Sequence, residues 1–207
     1  MLGIFLDIET TGLDPVQHRV LEIAFQVIDL RSGKQLASFH KPICQPQEVW
    51  DLADPVSLKI NGFTWEEVQK GTPQEKASAE ILEKFISLDI RRGKALFICQ
   101  NPAFDRAFFA QLINVYTQEE LKWPYHWLDF ASMYWAYKVK EARDTAVPLS
   151  DSIRLSKDNI AEEQGLPKEE KPHRAMNGVK HLVLCYQSLI GWTATDNSSD
   201  PKANATA

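Results

Sequence analysis

Apolar and polar positions divide the chain into a strand-rich opening and a remainder in which strands alternate with helices. Gly3–Asp7 holds Ile4, Phe5 and Leu6 in an unbroken row and then a carboxylate, which predicts a short buried strand. Glu9-Thr-Thr-Gly-Leu-Asp-Pro15 is turn chemistry, punctuated by Gly12 and Pro15. Val20–Leu30 is apolar and rich in β-branched residues, Arg31-Ser-Gly-Lys34 makes a turn, and Gln35–Lys41 returns. These segments predict three adjacent antiparallel strands. Pro42–Gly62 is irregular with helical pieces. Thr64–Gln69 and Pro73–Leu88 read as helices, the second with Ile81, Leu82, Phe85 and Leu88 on one face.

Ala95–Cys99 is another buried strand, and Asn101-Pro-Ala-Phe-Asp105 opens a helix whose buried stripe is Phe108, Phe109, Leu112 and Ile113. Trp127–Lys140 reads as a helix after a short strand, Lys157–Gln164 as a short helix ended by Gly165 and Pro167, and Ala175–Ile190 as the last helix. Antiparallel strands followed by strand–helix alternation predict an α/β fold, a mixed sheet with helices on its faces. The length of 207 residues suits one domain, placed at 1–192. Residues 193–207, dominated by Asp, Asn, Ser, Pro, Lys and Ala, read as a disordered tail.

Composition narrows the class. With 44% hydrophobic and 25% charged residues, the chain has the make-up of a soluble globular protein with one substantial core. No apolar run approaches the roughly 18 residues of a spanning helix, and Met1–Leu6 lacks the basic leader of a secretory signal. Cys44, Cys99 and Cys185 are far apart and form no C-x-x-C pair, so they read as reduced, buried thiols of a cytoplasmic protein. A formal charge of −5 argues against holding long nucleic acid by phosphate neutralisation. It is compatible with a nuclease whose bound cations supply positive charge locally.

Three short segments carry candidate chemistry. Asp7 and Glu9, two apart on a strand, would point to the same side. There they would repel each other and lose solvation, costs that a shared hard cation such as Mg²⁺ removes. The plainer reading makes both of them solvated turn acids. In Gln100-Asn-Pro-Ala-Phe-Asp105, either Asn101 or Asp105 could simply cap the helix. In Pro172-His-Arg-Ala-Met-Asn177, His173 could activate water as a general base or could be an exposed residue beside the basic run from Lys168 to Arg174.

Together the segments say more. Asp7-Ile-Glu-Thr-Thr-Gly-Leu-Asp14, Asn101-x-x-Phe-Asp105 and His173-Arg-Ala resemble, in order and rough spacing, the three exonuclease motifs of the DEDDh superfamily, the group of polymerase proofreading exonucleases, ribonuclease T and oligoribonuclease. The resemblance spans roughly residues 3–190, and Ile60-Asn-Gly-Phe63 and Tyr125-His-Trp-Leu-Asp129 also look like family segments. It implies a ribonuclease H-like fold with a five-stranded sheet. It also implies 3′→5′ hydrolysis at single-stranded DNA or RNA ends with two Mg²⁺ or Mn²⁺ ions. Asp7 would bridge or lie nearest both ions, Glu9 would hold the water-activating one, Asp105 would complete the shell of the second ion through water, and His173 would take the proton. Thr10, Thr11, Gly12, Leu13 and Asn101 would receive the terminal nucleotide, with Leu13 as an apolar wedge. Phe104 is read as core. Some relatives are homodimers, which leaves a homodimer open here.

The sequence departs from the family pattern in three places. The fourth carboxylate should stand five residues after His173, at a position that is Gly178, preceded by Asn177. Gln100 and Asn61 stand where the family usually has histidines. If Gly178 lies at the metal, Gly178→Asp should restore the carboxylate and raise activity. If another acid is recruited, the Glu162–Glu163 and Glu169–Glu170 pairs are the candidates. A catalytically degenerate module that binds nucleic-acid ends is the alternative function.

Overall fold

The computed structural model describes residues 1–193. The proposed tail lies outside the described residues, apart from Thr193. Five strands form one sheet in the order β3-β2-β1-β4-β5: β1 Leu2–Thr10, β2 Val20–Asp29, β3 Gln35–Pro42, β4 Ala95–Cys99 and β5 Trp127–Asp129. The first three pair antiparallel, and β4 and β5 join parallel to β1. This is the ribonuclease H-like mixed sheet.

The pleat of β1 assigns its side chains to two cores. Ile4, Leu6 and Ile8 face a layer formed with α4 (Gln74–Ser87) and α5 (Pro102–Leu112), through Ala77, Ile81, Phe85, Phe108 and Phe109. Phe5 faces the opposite layer, formed with α7 (Phe130–Thr145), α8 (Lys157–Glu163) and α9 (Ala175–Leu189), through Tyr134, Ile160, Val179 and Leu182. Asp7 and Glu9 share the parity of Phe5, so the pleat turns them toward the α8–α9 layer.

Two short helices, α1 (Gln47–Asp51) and α2 (Pro55–Asn61), lie in the span expected to be irregular with helical pieces, and α3 (Trp65–Gln69), capped by Thr64, is the helix expected over Thr64–Gln69. Two boundaries differ from expectation for local reasons. The helix expected from Trp127 begins at Phe130, because Trp127–Asp129 pairs with β4 and the Asp129 carboxylate caps the helix by accepting from the amides of Ala131 and Ser132. A short helix not expected at all, α6 (Val115–Glu120), is started by Asn114, whose side chain accepts from the amides of Tyr116 and Thr117. Among the described residues no helix is long and apolar enough to cross a membrane. Cys99 and Cys185 are buried and free, as expected, whereas Cys44 is only half-buried.

Candidate active site

β1 runs through Asp7 and Glu9 to Thr10, so both acids are strand residues and not part of a solvated turn. Because β1 and β4 are parallel, their carboxyl ends lie at the same edge, and a cleft of about 400 Å³ opens there. Ligand crevices of open α/β sheets occur at such edges. Asp7, Glu9, Asn101, Phe104, Asp105 and His173 all line it. The cleft thus gathers these six residues, separated by up to 166 positions in the chain.

Asp105 enters from the first turn of α5 and is almost wholly buried. Asn101 precedes that helix with a left-handed backbone (φ 58°), a conformation Asn tolerates. Its side chain caps nothing; its amide is anchored by donating to the Asp129 carboxylate at 3.0 Å. Phe104, expected in the core, is half-buried, packs on Phe108 and faces the cleft. Gln100 also lines the cleft, and its side-chain amide donates to the carbonyl of Leu155.

The other wall comes from the segment between α7 and α9. His173 is held by its backbone amide, which donates to the carbonyl of Ile60. Arg174 stacks its guanidinium 3.8 Å above the Phe63 ring and pairs with Glu67. These contacts tie the third motif to the Ile60–Phe63 segment. The amide of Ala175, at the start of α9, donates to Oε2 of Glu22 at 2.6 Å. Glu22 lies opposite Glu9 across β1 and β2 and is buried. It was not among the expected residues, although a carboxylate inside the apolar run Val20–Val27 is a visible signal.

Burial is the main influence on the acids. It pushes Asp7 up, with Lys157 opposing, to about 6. It pushes Glu9 up, reinforced by Asp7, to about 8. It raises Asp105 well above the carboxylate range, again reinforced by Asp7. Lys157 is the residue that sequence reasoning missed. Its Nζ is 3.8 Å from Oδ1 of Asp7 and 2.9 Å from Oε2 of Glu169, and it donates to the carbonyl of Gly178 at 3.2 Å. Burial alone would lower its affinity for a proton, but Asp7, Glu169 and Asp105 outweigh burial and hold the ammonium charged. Of the four glutamates considered as substitutes, only Glu169 lies in the cleft. Glu163 is bonded to Tyr134 and Glu162 pairs with Lys168.

Gly178 lies against Asp7. A Cβ there would sit 2.0 Å from Oδ2 of Asp7 and 3.1 Å from the Lys157 nitrogen. An aspartate there requires Asp7 to shift, so Gly178→Asp does more than add a ligand.

The remaining expected residues form a loop beside the cleft. Thr10 and Thr11 are buried and internally bonded: the Thr10 hydroxyl donates to the carbonyl of Gly12, and the Thr11 hydroxyl accepts from the amide of Arg19. Asn61 donates to the carbonyl of Thr10 at 3.0 Å. Gly12 has no room for a side chain, since a Cβ would meet the His18 ring at 2.4 Å. Leu13 is 73% exposed.

Residues 4–184 match the RNase T exonuclease family. This chain belongs to that family, within the DEDD-type 3′–5′ exonuclease superfamily. It is 27% identical over 192 residues to the chloroplastic/mitochondrial exonuclease DPD1 of Arabidopsis thaliana, covering 90% of this chain and 55% of that protein. It is 29% identical over 136 residues to an oligoribonuclease of Burkholderia lata, covering 57% of this chain and 64% of that protein. The chain thus spans less than two thirds of the length of these relatives. Exonuclease I of E. coli in complex with an oligonucleotide superposes with a TM-score of 0.70 at 17% identity, over 91% of this chain and 41% of that one. Cell-death related nuclease 4 superposes with a TM-score of 0.66 at 16% identity, over 93% and 65%. Members of the family generally use divalent metal ions.

Proposed function

We propose that this protein is a divalent-metal-dependent 3′→5′ exonuclease that hydrolyses phosphodiester bonds at single-stranded DNA or RNA ends. The observation that carries the reading is one cleft in which Asp7, Glu9 and Asp105, all pushed up by burial, meet His173. Three acids that resist ionisation in one buried place are a liability to a fold and an asset to a cation site. The donor set suits a hard ion such as Mg²⁺ or Mn²⁺, which prefers carboxylate oxygens. The fit is partial. Among the described residues no three Asp, Glu, His or Cys side chains stand in an arrangement that would hold a metal.

A bound divalent ion would polarise the scissile phosphate and ease deprotonation of the attacking water. Asp7 and Glu9 are the residues to hold it, with Asp105 behind them. His173, whose Nδ1 lies 3.3 Å from Oε1 of Glu169, is the residue to take the proton from the attacking water. The Thr10–Leu13 loop and Asn101 would receive the terminal nucleotide, Leu13 through its exposed apolar side chain. Oligonucleotides bound to the structural neighbour exonuclease I support single strands as the substrate class.

The second reading, a module that binds ends without cutting, is favoured by Gly178 and by the ammonium among the carboxylates. Short single strands labelled at the 5′ end, in DNA and RNA, separate the two. With Mn²⁺ present, the exonuclease shortens them stepwise from the 3′ end and leaves 3′-blocked strands intact. Strands that are bound but never shortened would establish the second reading.

A further inference from the structure

Gly178, Lys157 and Glu169 form one linked device. The absence of a side chain at 178 lets Asp7 and the Lys157 ammonium come close to the α9 backbone, where a Cβ would lie 2.0 Å from Oδ2 of Asp7 and 3.1 Å from the lysine nitrogen. The ammonium is held there by three oxygens, on Asp7, Glu169 and the carbonyl of Gly178. The Glu169 side chain is 2% exposed, and its Oε1 has no hydrogen-bond partner: His173 Nδ1 is near it, at 3.3 Å, but not aligned to donate. The ammonium and the Glu169 carboxylate are both buried and compensate each other, so a positive charge is fixed beside Asp7, and removing either partner would leave the other buried and unpaired.

We propose that the Lys157 ammonium permanently takes the place of one of the two cations, so that the site holds a single divalent ion at Asp7 and Glu9. The inference rests on the exonuclease reading above. Glu169 neutralises the lysine and shares it with Asp7, in place of the family's fourth carboxylate. Gly178 is then a requirement of the arrangement: any side chain there would collide with Asp7 and crowd the ammonium. A lysine cannot dissociate, so the charge it contributes does not vary with metal concentration.

The test counts ions on the whole chain. Mn²⁺ is titrated into the protein with thymidine or adenosine 5′-monophosphate present, and bound ion is read by electron paramagnetic resonance of the free ion. The expected count is one per chain. Lys157→Met should raise it to two and tighten the first ion about tenfold or more, because a positive charge within 4 Å of its ligand has gone. Two ions on the unaltered protein would overturn the inference while leaving the exonuclease reading intact. So would a Lys157→Met protein that still takes one. No ion on a protein that is folded by circular dichroism would overturn the metal-dependent reading itself. If Lys157→Met does not fold, the count on the unaltered protein decides alone.

Discussion

The two walls of the cleft are built on different principles. One is made of strand and helix start: Asp7 and Glu9 on β1, Asp105 in the first turn of α5. The other is made of the start of α8, the stretch that follows that helix and the first turn of α9, and carries Lys157, Glu169, His173 and Gly178. On the first wall, position follows from the pleat and from the pairing of β1 with β2 and β4. On the second, position follows from contacts distant in sequence, such as the Ala175 amide on Glu22 and Arg174 on Phe63. Chemistry fixed by a strand pleat is hard to move. Chemistry placed by contacts distant in sequence is easier to rearrange, and there a glycine stands against Asp7 with a lysine beside it.

The largest effect that separates the walls is loss of Asp7. Asp7→Ala should lower the rate about a thousandfold or more, the roughly 4 kcal/mol expected of a principal metal ligand. Metal-free stability should stay level or rise, because Glu9 loses a repelling neighbour while Lys157 keeps Glu169. Rate and melting temperature measured on the same sample check this. A variant that cleaves normally would remove the first wall from the mechanism.

Next is the charge stored on the first wall. Burial, with Asp7 added, raises Glu9 from an ordinary 4.5 to about 8, and burial raises Asp7 from 3.8 to about 6. The folded state therefore binds more protons than the unfolded one between those values. This contribution to stability is complete below about pH 4 and is lost as pH climbs through 6 and 8. Metal-free protein should melt on the order of 5–10 °C lower at pH 8.5 than at pH 5, for a loss of about 3 kcal/mol. Saturating Mn²⁺ should flatten the difference, because the ion binds the ionised, folded form. Melting curves that fall equally with and without Mn²⁺ would show that these acids do not hold the ion.

What could be read from the sequence follows the same division. The carboxylate pair was legible because a strand has a period of two and Ile4–Leu6 announce the strand. Its extension through Thr10 was not, because Glu9-Thr-Thr-Gly reads locally as a turn and pairing with β2 overrides that. Gly178 was legible only against a family pattern. Lys157 gave no signal: it sits at the first position of a seven-residue helix, where a lysine is ordinarily a solvated side chain. Glu169 stood among four equivalent acids, and only three-dimensional packing distinguished it. Phe104 was assigned to the core because it shares a helix with Phe108, yet the first turn of that helix faces the cleft.

A smaller effect sharpens the second wall. Gly178→Asp should lower activity by about 10–100-fold, since even its Cβ meets Asp7 at 2.0 Å and the metal ligand must move. Gly178→Ala should behave in the same way, which separates the collision from the charge. Rates against Mg²⁺ concentration distinguish the cases. An aspartate variant that is faster at low Mg²⁺ would mean that Asp7 gives way easily and that the second wall can still accept the family's carboxylate.

The smallest effect concerns a residue on neither wall. Leu13 is 73% exposed at the tip of a loop that is otherwise tightly tied, by Thr10 to Gly12, by Thr11 to Arg19 and by Gln111 to Pro15 and His18. An exposed leucine on a fixed loop contributes little to folding, so its worth must come from what it covers. If it packs on the terminal base, partial burial of its side chain is worth roughly 1.5 kcal/mol, or about tenfold in binding. Leu13→Ser should therefore raise KM about tenfold, change kcat little and leave the melting temperature within about a degree. A fall in kcat with KM unchanged would place Leu13 in the alignment of the scissile bond instead of the grip on the base. No change in either would separate this loop from the substrate and leave the two walls of the cleft as the whole of the site.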